Sequence, residues 1–380
     1  MSPEKPRLSL LDVAHHAGVS PATVSRVLNN TAHVRQGVRE RVLASVQALG
    51  YQAPASSAPT MLSRQNAIAL IIPDILNPYF TEMVRGVQDE AFADRLMPLL
   101  LDTAEDPQRE HEFLRMLVNQ PVCGIVVCGS RIPTEDLVAI CSRLSTPMVI
   151  ISRTLRLPHV ACIMADLKNA TYRATRHLLD LNHTRIAYLS GPGKSEASLG
   201  RRVGIEAALT EAGLTLRPEW CPISFPDVDG GFQTMSALLA LPQDNRPTAV
   251  IAYNDLMALG ILHAIRAHHL RVPEDISVIG NDDISMAAHA NPPLTTLSPP
   301  KHRMGRTAMQ MLRRMIEGHP PPEEGYTLME CPLIVRESTA PAIGSNGRSP
   351  IEKQSWSANH TNEHEKKGMS GDSRCSWKTI

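Results

Sequence analysis

Two groups of side chains in this chain have the types and spacing to do chemistry. Thr23, Ser25, Arg26 and Asn29 share one face of a helix-period segment, opposite the apolar stripe Val24, Val27 and Leu28. Hydroxyl, guanidinium and amide groups in such a row are those that reach base edges and phosphates. The second group is scattered along the chain but recurs in one context, just past short apolar runs. Tyr79 and Phe80 follow the first such run, Asn254 and Asp255 a later one, and Asp282 the last; Arg201 starts a helix. Aromatic rings stack on the apolar face of a sugar or on a base, and charged groups at strand ends hold hydroxyls in pairs, as a neutral polyol is held. Phe225 is either a further stacking platform or a core residue, and Asp255 either reaches a ligand or caps the helix over 256–268.

Catalytic and metal chemistry find no comparable set. No Gly-x-Gly-x-x-Gly follows a strand, and Gly191-Pro-Gly-Lys-Ser195 lacks the upstream glycine of a phosphate loop. Cys123 and Cys128, one of them on an apparent strand, suit no zinc pair. His15-His16 and His268-His269 are adjacent, so each pair points in different directions from its helix and cannot chelate one ion. No constellation of nucleophile and base stands out. The reading is a non-enzyme without cofactor or metal.

The elements that must carry these residues follow from periodicity. At 380 residues the chain is long enough for two or three domains. Lys plus Arg and Asp plus Glu both number 38, so a basic surface must be local. Residues 1–60 do carry an excess of three positive charges. Runs such as Ala67–Pro73 and Val122–Cys128 are far too short to span a bilayer, and no signal-peptide pattern opens the chain. The odd number of cysteines, seven, lies mostly in apolar runs, which suits buried reduced thiols and predicts a cytoplasmic protein without membrane contact.

Residues 8–51 read as three short helices. Leu10, Val13, Ala14 and Ala17 form the first stripe, Gly18 supplies a positive φ at the break, and Ser20 with Pro21 opens the second helix. A third helix carries Val38, Val42, Leu43, Val46 and Leu49. Ala14 is small where two helices cross, which is the composition of a helix-turn-helix. Residues 52–66, rich in Pro, Ser and Ala, read as a linker, and 343–380, without apolar periodicity, as a disordered tail. Between them, residues 67–342 alternate strands with helices. Strands are predicted at 68–72, 97–101, 124–127, 148–151, 186–189, 249–252 and 276–279, a last helix at 304–316, and paired short strands near 326–336. The alternation restarts after Asp166, predicting two α/β lobes with parallel sheets and a cleft at the strands' carboxyl ends.

The ordered set Asp12-Val13-Ala14, Ala17-Gly18-Val19-Ser20, Thr23–Asn29, Val34 and Leu49-Gly50-Tyr51 resembles the headpiece of the lactose-repressor/galactose-repressor (LacI/GalR) family. The likeness runs on through Pro73–Phe80, Gly191-Pro192, Arg201–Gly204, Asn254–Gly260, Gly280–Asp283 and Pro293–Leu297, and covers about residues 9–340. It implies an all-α helix-turn-helix headpiece joined to a two-lobed, periplasmic-binding-protein-like effector domain. It also implies a homodimer on a pseudo-palindromic, double-stranded operator, acting as a transcriptional repressor in the bacterial cytoplasm at the nucleoid. Its effector would be a small molecule, expected to be a carbohydrate.

Position by position, the resemblance puts Pro21 and Ala22 where operator choice is made, with Leu11, Ser20, Thr23, Ser25, Arg26 and Asn29 beside them. His33 and Arg35 are expected on the DNA backbone. Arg201 and Asp282 match ligand-contacting positions, and Asn281 stands where relatives carry Phe or Tyr. The linker departs from the family: it lacks the usual Asn and Arg, and Pro59 falls inside the would-be hinge helix, leaving Met61 or Leu62 as the candidate minor-groove wedge. A sugar-binding transport receptor shares the two-lobed fold, but should carry a signal peptide and begin near residue 67. A DNA-associated enzyme lacks its reactive groups.

Overall fold

The computed structural model describes residues 9–29, 34–49, 51, 66–120, 122–191, 195–323 and 325–342. The first helix, α1 (Leu10–Ala17), begins with a capping box. The Ser9 backbone N–H and hydroxyl both donate to Asp12 Oδ2 at 2.7 Å, which holds the Asp12 carboxyl below its ordinary range. It ends at Gly18, whose φ of 61° is the left-handed cap that the sequence requires. Ser20 opens α2 (Pro21–Asn29) by accepting from the Thr23 N–H at 3.2 Å. With α3 (Gln36–Leu49), these helices bury Val13, Ala14, Ala17, Val24, Val27, Val42 and Tyr51 as a core of their own. Each helix is too short to persist alone, so this shared core holds the three together.

The α/β part opens with β1 (Ala67–Ile72), α4 (Pro78–Ala93), β2 (Met97–Asp102), α5 (Pro107–Leu117) and β3 (Gly124–Cys128). It continues through α6 (Thr134–Cys141), β4 (Met148–Ile151), β5 (Val160–Ala165) and α7 (Leu167–Asp180). Then come β6 (Ile186–Leu189), α8 (Glu196–Glu211), α9 (Val228–Leu239), β7 (Ala249–Ala252), α10 (Asp255–Ala267) and β8 (Ser277–Asn281). The last elements are α11 (Ser285–His289), β9 (Thr295–Leu297), α12 (Lys301–Ile316), β10 (Tyr326–Met329) and β11 (Leu333–Ile334). The first sheet is parallel throughout, in the order β10-β5-β4-β3-β1-β2. The second runs β11-β9-β8-β7-β6, parallel except for β11. Strands β1, β3, β4, β7 and β8 are buried along their whole length, as expected of sheets covered by helices on both faces.

Three expectations change. The strands near 326–336 are not paired with each other: β10 joins β5 in the first sheet, and β11 joins β9 in the second. The chain therefore crosses between lobes three times, and these segments are tied side by side. The Asp166 N–H donates to the Met329 carbonyl, the Ser298 N–H to the Pro332 carbonyl, and Arg173 to the Cys331 carbonyl. Two strands, β5 and β9, add to the alternation. Both are short runs buried on two faces, with no period-2 signal to betray them. Finally, α8 begins at Glu196, so Arg201 sits in its second turn rather than at its start.

Helices α4 and α12 cover one face of the first sheet and cross at two glycines. A side chain on Gly86 would strike the His302 carbonyl, and one on Gly305 the Met83 carbonyl. Outside that crossing, His302 bonds Asp89, Arg306 bonds Glu90, and Arg313 bonds Asp94. No helix among the described residues is long and apolar enough to cross a membrane.

Candidate DNA-reading face and ligand cleft

On the headpiece, α2 exposes Pro21, Ala22 and Arg26 and leaves Thr23 and Ser25 half-buried. The Thr23 hydroxyl lies 2.9 Å from that of Ser20, so these two residues spend part of their polarity on the cap. Leu11 is 66% exposed on α1, and Arg35 is exposed just before α3. Arg26 is thus the one long cation that the second helix presents. Asn29 closes α2, while its side chain, with His33, Met61, Leu62, the Pro59 segment and the tail, lies outside the described residues.

The cleft between the lobes is built at strand ends. Asn77, Tyr79 and Phe80 follow β1, Glu105 follows β2, Gly129 and Arg131 follow β3, and Ser152 follows β4. From the other lobe come Leu167 after β5, Ala197 and Arg201 after β6, Pro226 before α9, Tyr253 and Asn254 after β7, and Asp282 after β8. Together they line one partly open space at the carboxyl ends of the strands, the position at which open α/β sheets take small ligands. The backbone is strained here: Glu105 (φ 60°), Ser152 (φ 67°) and Asp282 (φ 127°) all line the space. Left-handed backbone at non-glycine residues costs of order 1–3 kcal/mol each and concentrates at ligand sites.

Arg201 is the centre of the arrangement. Its guanidinium stacks on the Tyr253 ring at 4.5 Å from the centroid, and Nη2 lies 3.9 Å from Asp282 Oδ1. Its Nε and Nη1 are buried without a partner, in a residue that lines the cleft. Burial pushes the Asp282 carboxyl well up, against the pull of Arg201. Tyr79 and Phe80 meet edge to face at 5.1 Å, and burial raises the Tyr79 phenol. For Tyr253, burial acts upward, but the guanidiniums of Arg131 and Arg201 prevail and leave the phenol below its ordinary value.

Arg131 and Glu105 form a second charged unit, which sequence reading missed. Arg131 Nε and Nη2 donate to the two Glu105 oxygens at 2.5 and 2.8 Å, and Nη1 donates to the Gly129 carbonyl at 3.0 Å. Both carry the signal that marks Tyr79, a polar or aromatic residue just past a strand's end, here at β2 and β3.

Of the ligand residues expected from sequence, the structure gathers Tyr79, Phe80, Arg201, Asn254 and Asp282 around one space. Asn254 is also the N-cap of α10, accepting from the Met257 N–H while Nδ2 donates to the Pro226 carbonyl. Phe225 and Asp255 are not among the lining residues. Phe225 is 55% exposed, because its loop turns it outward ahead of α9. Asp255 is fully buried behind the cleft, accepting from Thr296 Oγ1 at 2.6 Å and from the Ile284 N–H at 2.9 Å. It ties α10 to the loops around β8 and β9, and the helix cap is Asn254 instead. Asn281 is buried and donates to the Tyr253 carbonyl, so it supports the residue that supplies an aromatic wall.

Burial raises the Asp255 carboxyl to about 6, against its two hydrogen bonds. A folded-state value above the unfolded one means that the group favours folding fully below about pH 4 and loses that contribution as pH rises through 6. The swing is of order 3 kcal/mol. Asp255→Asn is expected to remove that slope from the stability of the chain between pH 4 and 7. Denaturant titrations across this range check it, and parallel wild-type and variant curves would count against the assignment.

Comparison with known proteins decides the family. The family model described as bacterial regulatory proteins, lacI family, matches residues 9–53, and that of the periplasmic binding protein-like domain matches 175–339. The HTH-type transcriptional repressor PurR of Aliivibrio fischeri (strain ATCC 700601 / ES114) is 34% identical over 81% of this chain and 92% of its own. The chain belongs to the lacI family. It is a DNA-binding transcriptional repressor of that family, with the helix-turn-helix and two-lobed architecture of its relatives. The repressor CytR of Escherichia coli (strain K12) is 33% identical over 87% of this chain and 96% of its own. Among solved structures, the lac repressor dimer bound to operator and the anti-inducer ONPF superposes with a TM-score of 0.68 at 27% identity. That match covers 88% of this chain and all of the other. A CelR–cellobiose complex gives 0.64 at 29% identity, over 87% of this chain and all of that one.

Proposed function

We propose that this lacI-family repressor acts as a homodimer whose grip on a pseudo-palindromic operator is set by a small polyhydroxylated ligand, a sugar or sugar derivative, held between the lobes. The observation that carries the reading is Arg201, with two buried nitrogens unfilled and the Asp282 carboxyl 3.9 Å away. A hydroxyl accepts from the one and donates to the other, which suits the repeated donor–acceptor pattern of a polyol. The rings of Tyr79, Phe80 and Tyr253 supply the apolar faces against which a sugar packs. Related structures hold cellobiose in one case and ribose in another, each with this fold.

Control follows from linkage. The ligand contacts both lobes, so it favours one inter-lobe angle, and it alters operator affinity only to the extent that the two angles differ in fitness for DNA. Operator and ligand then modulate each other by the same factor. The test is a gel shift of the full chain on its own upstream region with and without residues 1–60, repeated with every sugar that raises its melting temperature. Operator binding that no stabilising sugar alters would overturn the reading.

Within the headpiece, Pro21 and Ala22 offer only apolar contact, such as to a thymine methyl, so polar base readout falls to Arg26. Arg26→Ala is expected to weaken operator binding by about 1–3 kcal/mol and to relax preference at one base pair per half-site. Equal losses on operator and on random duplex would reassign Arg26 to the phosphates.

A further inference from the structure

The charges around the cleft narrow the ligand class beyond a sugar or its derivatives, an inference that rests on the function proposed above. We infer that the cleft selects uncharged ligands and rejects their phosphorylated or carboxylated forms. Anion sites in α/β folds use two devices, a guanidinium or ammonium with free donors and the bare N-terminus of a helix. Here the helix ends are capped by the chain itself, and the one lining guanidinium with unfilled donors, Arg201, stands beside a carboxyl.

The cations come first. Arg131 is spent on both oxygens of Glu105 and on the Gly129 carbonyl, so its fork is closed to a phosphate. The Lys301 ammonium lies behind Asp282, donating to the Asp282 and Asp283 carbonyls and pairing with Glu82 at 3.6 Å. Of the two described guanidiniums that line the cleft, Arg201 is the one with buried donors left unfilled. Any group seated on it also sits beside Asp282. A hydroxyl bonds that carboxyl in either protonation state, as donor or as acceptor; an ionised phosphate or carboxylate bonds it only where the carboxyl carries a proton.

The helix ends that abut the cleft are each capped by one of the chain's own side chains. Asn77 accepts from the Tyr79 N–H at the start of α4, and Ser195 from the Ser198 N–H at the start of α8, where Glu196 follows. Asp227 accepts from the Gly230 N–H at the start of α9, and Asn254 from the Met257 N–H at the start of α10, where Asp255 follows. Three of these four ends thus carry one of the chain's own carboxylates. Asp74 on the first lobe stands within electrostatic reach of Asp102, Glu105 and, on the opposite lobe, Asp227. With Glu105 and Asp282 lining the cleft itself, an incoming anion meets a carboxyl from each lobe. Phosphorylation of a ligand hydroxyl, or oxidation of a terminal carbon to an acid, is therefore the class of reaction that would end its action on this repressor.

The experiment uses the full chain and matched pairs: ribose with ribose 5-phosphate, glucose with glucose 6-phosphate and gluconate, adenosine with its 5′-monophosphate. The expected result is that any binding member is uncharged, with its anionic partner weaker by about a hundredfold or more in titration calorimetry. An anion that binds as well as its neutral partner overturns the inference, while leaving ligand control of operator binding standing. Conversely, a neutral ligand that binds but leaves operator affinity unchanged sinks the function and not the selectivity. A second arm needs no cognate ligand. Inorganic phosphate is expected to stabilise the wild type no more than sodium chloride at equal ionic strength, whereas Glu105→Gln or Asp282→Asn gains a phosphate-specific rise in melting temperature. Phosphate stabilisation of the wild type that Arg201→Ala removes, or folded variants that both stay as indifferent as the wild type, would each defeat the proposal.

Discussion

Arg201→Ala is expected to abolish the ligand response while operator binding persists. The guanidinium supplies the open donors in the cleft, and its removal also strips the Asp282 carboxyl of the charge beside it. Truncating one member of a buried charged pair at a binding site costs about 2–5 kcal/mol, roughly thirtyfold to several thousandfold in ligand affinity. Arg201 packs on Tyr253 and is remote in sequence from the headpiece, so DNA recognition has no direct stake in it. Calorimetric titration of the variant with whichever ligand stabilises the wild type, alongside a gel shift, checks both halves. Retained affinity would remove Arg201 from the centre of the site. Loss of operator binding as well, in a variant that still melts cooperatively, would mean that the residue holds the lobes in their DNA-competent angle rather than contacting ligand.

The second large effect is structural. Gly305→Val should be among the most damaging single changes in the first lobe, because its side chain would be driven into the Met83 carbonyl, with the Met83 carbonyl carbon and the Val87 nitrogen at 3.0 and 3.1 Å. Backbone cannot yield as a flexible side chain does, so α4 and α12 must separate and uncover the apolar face that both bury. Overpacking of this kind costs about 3 kcal/mol, and in a protein of this size that lowers the melting temperature by roughly 4–5 °C. Gly37 is the internal control. It lies inside α3, and a β-carbon added there would have nothing within 4 Å, so Gly37→Ala is expected to be neutral or to stabilise by about 0.5–1 kcal/mol. Thermal melts of the two variants that proved indistinguishable would show that the crossing is looser than its geometry states.

Much of this architecture was legible in the chain. The headpiece helices end where Gly18 and the Ser20-Pro21 pair say they should, because caps and breaks are local chemistry decided within a few residues. Seven strands were visible as short apolar runs, and four of the residues just beyond them, Tyr79, Phe80, Asn254 and Asp282, do line the cleft. A residue just past the carboxyl end of a buried parallel strand lies at the sheet's edge, whatever the order of the strands.

Tertiary structure alone decided the rest. Glu105 and Arg131 belong to different loops and carry no mutual signal, yet they become partners because β2 and β3 flank β1. The fate of 326–334 is of the same kind: two short runs adjacent in the chain enter different sheets, and so create the third crossing between the lobes. Asp255 and Asp282 both come after strands, but one is consumed by Thr296 and Ile284 and the other faces the ligand space. Periodicity records which face of an element is buried. It does not record which distant loop arrives to meet it, and in this repressor that arrival determines which charges are spent within the protein and which remain for a ligand.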